Sequence, residues 1–161
     1  VCKRLSLWVT KGARDDVFWR TAMSGGRATL GARKGKLRQA QAGDISAIHT
    51  DGSVLLSRFV VECKHYKQLN IDNFVLGVES GLLWKFWIKL AEQATKLDRH
   101  PLLIAKQNGK PTIAITNLGG GWSLKRYHDI DRGVLLTMAS GPTIYLFEKA
   151  FSYAPRLRPR K

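Results

Sequence analysis

The sequence predicts an α/β sandwich with a central mixed β-sheet, and three observations carry that reading. One strongly amphipathic helical stretch lies in mid-chain, β-rich runs precede it, and short apolar runs separated by Gly and Pro follow it. The predicted order is helix, strand, hairpin, helix, strand, strand, which a sheet covered by helices accommodates. A length of 161 residues with 44% apolar side chains is enough for one domain with its own core.

Each element follows from local pattern. Residues 2–10 place Leu5, Trp8 and Val9 at i, i+3 and i+4, which predicts a short helix. Lys11-Gly12 ends it, because Gly takes the left-handed capping conformation easily. Val17-Phe18-Trp19 reads as a first strand. Residues 20–38 contain Gly25, Gly26, Gly31 and Gly35 and no apolar period, and predict an exposed basic loop that orders on a partner. The runs GDISAIH and VLLSRFVVECK flank Asp51-Gly52 and predict a β-hairpin. From Leu82 to Leu97, Leu83, Trp87, Leu90 and Ala94 form an apolar stripe, with Lys85, Lys89, Glu92 and Lys96 off it. After His100-Pro101, LLIAKQ and PTIAIT predict two strands joined at Asn108-Gly109-Lys110. Gly119 to Gly121 reads as a turn, and Val134–Met138 and Ile144–Phe147 as further strands. A single domain over 1–154 is expected, followed by a disordered basic tail over 155–161 that holds Pro155 and Pro159.

Charge narrows the function. Twenty-seven Lys and Arg against twelve Asp and Glu give +15, an excess that repels itself in a compact fold and suits a polyanionic partner. Nucleic acid is the leading expectation, ahead of an anionic membrane surface or an acidic protein. No apolar stretch reaches the roughly 18 residues a membrane span needs, and no signal-peptide pattern opens the chain, so a cytoplasmic protein is expected. Cys2 and Cys63 belong to no CxxC pair, which argues against a disulfide framework or a Cys-rich zinc site. His49, His65, His100 and His128 show no ligand spacing.

The chemistry-bearing segment is Glu62-Cys63-Lys64. On a strand, i and i+2 share a face, so Glu62 and Lys64 project together while Cys63 turns inward with Phe59 and Val61. Two carboxylates and an ammonium on one rigid surface are the minimal kit for metal-assisted phosphodiester hydrolysis. Asp44 brings the second carboxylate if the hairpin has the right parity. A strict two-residue loop would turn it away from Glu62, so a loop of three or five residues, or a bulge, is predicted. The alternatives are plain: a solvated Glu–Lys pair on a strand, and a turn residue at Asp44.

The pattern GD-I-x-A…F-V-V-E-C-K resembles the PD-(D/E)XK nuclease superfamily, with Gly43 where Pro is usual. That resemblance implies a restriction-endonuclease-like sandwich and a metal-dependent nuclease. It implies catalytic roles for Asp44, Glu62 and Lys64, with Mg²⁺ (or Mn²⁺ in its place) held by Asp44, Glu62 and the Cys63 carbonyl. The stretch Arg20-Thr21-Ala22…Ser24-Gly25-Gly26 is similar to a loop of the phage and archaeal-type Holliday junction resolvases, a branch that implies branched DNA, a homodimer and phage origin. The resemblance extends over residues 2–116. Those resolvases carry a Glu on the first helix, and its place here falls near Cys2, which leaves Asp15 or Asp16 to substitute. Asp16 is taken as the fourth catalytic candidate, its alternatives being a surface turn acid or a partner for Arg20.

DNA contacts are expected from Arg20, Ser24, Arg27, Arg33, Lys34, Lys36, Arg38, His65 and Lys67, and an accessory polar role from Gln93 on the long helix. Trp84 to Phe86 offers apolar surface for a two-fold interface. The competing functions are a restriction-like or nicking nuclease on linear duplex, and a catalytically silent DNA-binding module.

Overall fold

A computed structural model describes residues 1–21, 43–117, 124, 133–137 and 141–152. The chain opens with α1 (Cys2–Val9), followed by β1 (Phe18–Arg20) and β2 (Ile45–Ala47). A 3₁₀ turn (Thr50–Gly52) leads into α2 (Ser53–Arg58), β3 (Phe59–Tyr66), α3 (Ile71–Val75) and α4 (Gly81–Lys96). Strands β4 (His100–Gln107), β5 (Ile113–Thr116), β6 (Val134–Thr137) and β7 (Thr143–Leu146) and helix α5 (Phe147–Ala150) complete it.

Five strands form a mixed sheet in the order β3-β4-β5-β7-β6. Strands β3 and β4 are parallel, with α3 and α4 in the crossover, and the other neighbours are antiparallel. A separate antiparallel ribbon pairs β1 with β2.

Period-two alternation sorts the core into two layers. Phe59 and Val61 of β3, with Leu102 and Ile104 of β4, face Leu5 and Trp8 of α1 and Phe18 and Ile45 of the ribbon. Val60, Leu103 and Ala105 face the opposite way, onto Phe74 of α3 and the α4 stripe of Leu83, Trp87, Leu90 and Ala94. The sheet is therefore covered on both sides, the predicted α/β sandwich, and β5 is buried along its length for that reason. Removing that much apolar surface from water is the main force holding the layers together, at roughly 25 cal/mol per Å².

Local polar bonds fix how α1 meets the ribbon. The buried Ser6 hydroxyl accepts from the N–H groups of Val17 and Phe18 and donates to the Cys2 carbonyl. Helix α1 stops where Lys11 and Gly12 both take positive φ, and the Gly12 N–H caps the Leu7 carbonyl at 2.7 Å.

The predicted hairpin across Asp51-Gly52 is absent. A primed two-residue turn needs positive φ at its first central position, and in type I′ at the second as well, and neither Asp51 nor Gly52 has it. Asp51 and Gly52 instead form the 3₁₀ turn, with the Asp51 N–H donated to His49 Nδ1, and residues 53–58 continue as helix. The reason is tertiary: a helical turn carries Leu55 into full burial beneath the sheet, where the ribbon and α1 already pack. A Cβ on Gly52 would also strike Phe18, Ala47 and Val17 within 3 Å. The strand therefore starts at Phe59 rather than near Val54. Strand β4 starts two residues early, because His100 and Pro101 pair with Phe59 and Val60.

Candidate active site

The site forms on the exposed edge of β3. The backbone of Gly43 bridges Val61 in parallel sense, and the Asp44 N–H donates to the Val61 carbonyl at 2.8 Å. Gly43 has φ +101°, and a Cβ there would lie 2.5 Å from the Val61 oxygen. Proline, with φ fixed near −65°, could not adopt this conformation, which accounts for Gly in the place where the motif usually has Pro.

This contact corrects the parity argument. Asp44 reaches β3 through a parallel bridge and not through a hairpin, so loop length does not set its face. Beyond the bridge, Asp44 Oδ2 accepts from the Cys63 N–H at 2.8 Å, where a neighbouring strand would have offered a carbonyl. Asp44 thus fulfils the bland role of an edge cap while presenting its charge to Lys64.

Lys64 joins the two carboxylates. Its ammonium hydrogen-bonds to Glu62 Oε1 and stands 4.0 Å from Asp44 Oδ2. It also lies 5.2 Å from the centroid of the Phe86 ring of α4, a cation–π contact. The three side chains are 16% (Asp44), 25% (Glu62) and 21% (Lys64) exposed, so screening by water is limited on all of them. Burial alone would lower the Lys64 pKa; the hydrogen bond it donates to Glu62 and the charges of Glu62 and Asp44 outweigh that and raise it, so Lys64 stays cationic.

Cys63 turns inward beside Phe59 and Val61, as its place between Glu62 and Lys64 requires. Burial first, and then the Asp44 charge, push its thiol up from 9.0 to about 12. The thiol is therefore held protonated, the form that is a poor nucleophile.

Asp44, Cys63 and Lys64 line a cleft of about 1090 Å³ between the β3–β4 end of the sheet, α1 and β1. Asp16, Arg20 and His65 line it as well, so these predicted residues do gather at one surface. Asp16 is exposed and held by Arg14 in two hydrogen bonds of 2.9 and 2.8 Å, which keep its carboxyl below the usual range. Its partner is Arg14 and not Arg20. Asp15 pairs with Lys3 at 3.0 Å. His65 Nε2 lies 3.0 Å from Asn108 Oδ1.

Glu62, Lys67 and Gln93 are not among the residues that line the cleft; Glu62 reaches it through its bond with Lys64. Gln93 sits two turns beyond Phe86 on α4, about 10 Å along the axis, and it is Phe86 that touches Lys64. Ser24, Arg27, Arg33, Lys34, Lys36 and Arg38 lie outside the described residues. Trp84 packs on Phe74 at 5.7 Å and Phe86 on Tyr66 at 5.5 Å, so the surface expected to be spare for a partner is partly used within the chain.

Tyr66 and Lys106 went unassigned in the sequence reading. Period-two spacing already puts Tyr66 on the Glu62–Lys64 face. Lys106 is opposite His65 across the parallel ladder, a register no local pattern reveals.

Neither a curated protein nor a solved structure matches the chain. A family model does: residues 1–125 match the one described as phage putative PDDEXK endonuclease. With the Asp44, Glu62 and Lys64 cluster inside the matched region and a five-stranded mixed sheet flanked by helices beneath it, the chain belongs to this PD-(D/E)XK endonuclease family.

Proposed function

We propose that the protein is a metal-dependent endodeoxyribonuclease acting on branched DNA, a Holliday junction resolvase working as a homodimer. The observation that carries the nuclease reading is the convergence of two carboxylates on one ammonium, with Asp44 and Lys64 lining a cleft, in a chain of charge +15.

The donor set suits a hard divalent cation. Among the described residues no three His, Cys, Asp or Glu side chains gather to hold a metal ion. Mg²⁺ does not require that many, because it keeps several waters and takes one or two carboxylates plus substrate oxygens. Asp44, Glu62 and the Cys63 carbonyl would hold it, with Mn²⁺ as a substitute. Bound there, the ion would supply a more acidic water and neutralise phosphate charge. Lys64, kept charged by Glu62 and Asp44, is positioned to hydrogen-bond the attacking water or a non-bridging phosphate oxygen. Arg20 and Lys106 add positive charge along the cleft for the phosphate backbone, and His65 stands beside them as a polar contact. Cutting both strands of a symmetric junction needs two active sites, which a two-fold dimer provides.

The test is cleavage of a four-way junction, a linear duplex and a single strand, each with Mg²⁺ and with EDTA. Junction cutting in Mg²⁺ alone is expected. Glu62→Gln should lose at least about 100-fold in rate with binding in EDTA unchanged. Full activity of that variant would refute the site, and preference for linear duplex would reassign the enzyme to a restriction-like or nicking class. Binding without cutting of any substrate would leave a DNA-binding module.

A further inference from the structure

Trp19 is the anomaly of the cleft wall. In β1, Phe18 turns into the core and Trp19 to the outside, where its cross-strand partner is Ser46. Ser46 is too small to cover an indole, and Trp19 is left 67% exposed. Its ring stacks on no other ring among the described residues. One exposed apolar side chain is ordinary on a protein surface, but a flat aromatic face open to a cleft is the kind of surface on which a base can stack. Trp19 lines the same cleft as Asp44 and Lys64, beside Arg20. A second exposed ring stands there: Tyr66, 43% exposed, on the β3 face of Glu62 and Lys64.

We infer that Trp19, with Tyr66, stacks on unpaired nucleobases, so that the enzyme selects DNA in which bases are unstacked near the scissile phosphate. The inference rests on the nuclease reading and adds the substrate feature it selects. Cationic side chains in the cleft are indifferent to base pairing, because they read phosphates. A flat aromatic face is not indifferent. In continuous duplex each base is covered above and below by its neighbours and offers only its edges to the grooves. A free base face exists in single strands, at strand ends and at branch points, and an indole recovers stacking energy only there.

The experiment is equilibrium binding in EDTA of three fluorescein-labelled probes: a 20-nucleotide oligo-dT, a splayed fork and a continuous 20-base-pair duplex. Trp19→Ala should bind oligo-dT and the fork about 5- to 150-fold more weakly, with duplex affinity within twofold of the parent. Trp19→Phe should recover most of the loss, because it restores a stacking face. An equal loss on duplex would overturn the inference and make Trp19 a general wedge or a fold element, and so would no loss on any probe. Cleavage of the same three probes and of a four-way junction with Mg²⁺ separates the two readings. If the parent chain cuts none of them, the nuclease reading fails while the binding selectivity stands. If it cuts and Trp19→Ala shows no selective loss, only the stacking inference fails.

Discussion

The cleft has two acidic rims, Asp15 and Asp16 on one and Asp44 on the other, where Glu62 joins Asp44 through Lys64 without lining the cleft itself. On one, Asp15 and Asp16 extend from the entrance to β1, exposed, each closed off by its own basic neighbour, Lys3 or Arg14. On the other, Asp44 and Glu62 are largely shielded and share Lys64. The first rim is a pair of surface ion pairs, each screened by water and contributing little. In the second, backbone bonds to β3 fix Asp44, and Asp44 and Glu62 in turn hold one cation. Chemistry needs charges that cannot relax away from the reacting atoms, and only the β3 rim has that property.

Substitutions and probes on the two rims test this contrast. The largest difference expected is in thiol chemistry. With the Cys63 pKa moved from 9.0 to about 12, its thiolate fraction at pH 8 falls about a thousandfold. Alkylation followed by mass spectrometry should label Cys2 well before Cys63 in the folded protein, although Cys2 is itself raised by burial. Equal labelling would mean that the β3 rim is more open than described. The sign for stability follows: the folded state holds the Cys63 proton more tightly, so this contribution is intact below pH 9 and lost as pH rises towards 12.

Next in size, Asp44→Asn should cut the cleavage rate at least about 100-fold while the melting temperature moves little, since an amide oxygen can still accept from the Cys63 N–H. A large melting shift instead would make Asp44 mainly a structural cap. Gly43→Ala should cost about 2 kcal/mol or more in denaturant unfolding, because both the positive φ and the Val61 oxygen oppose it. A variant as stable as the parent would show that the bridge to Val61 is dispensable. The smallest effect belongs to the other rim: Asp16→Asn should leave cleavage within about threefold. A loss matching that of Asp44→Asn would promote Asp16 to the metal-holding set and erase the contrast.

The parts of the fold readable in the sequence are those where pattern and packing agree. The α4 stripe, the β4–β5 pair and the Glu62–Lys64 parity all depend on residues a few positions apart. The failures are non-local. Asp51-Gly52 has turn chemistry, yet burial of Leu55 draws the next six residues into a helix. Asp44 does stand beside Lys64, but not by the predicted hairpin, because a parallel bridge between Gly43 and Val61 leaves no local signature except the glycine itself. Trp19 was read only as part of a strand, because three residues cannot show which side of a ribbon is covered.

The carboxylate of Asp44 also bears on how the molecule avoids its own copies. Strand β3 terminates the five-stranded sheet, and an outermost strand with free amides invites a second chain to add itself there. At Cys63 that amide is occupied by Asp44 Oδ2, and at Val61 the carbonyl is occupied by the Asp44 N–H. The same residue therefore also closes part of that border of the sheet. An inert variant for trapping substrate is better made with Asn than with Ala at position 44, since Asn silences the charge and leaves that border closed.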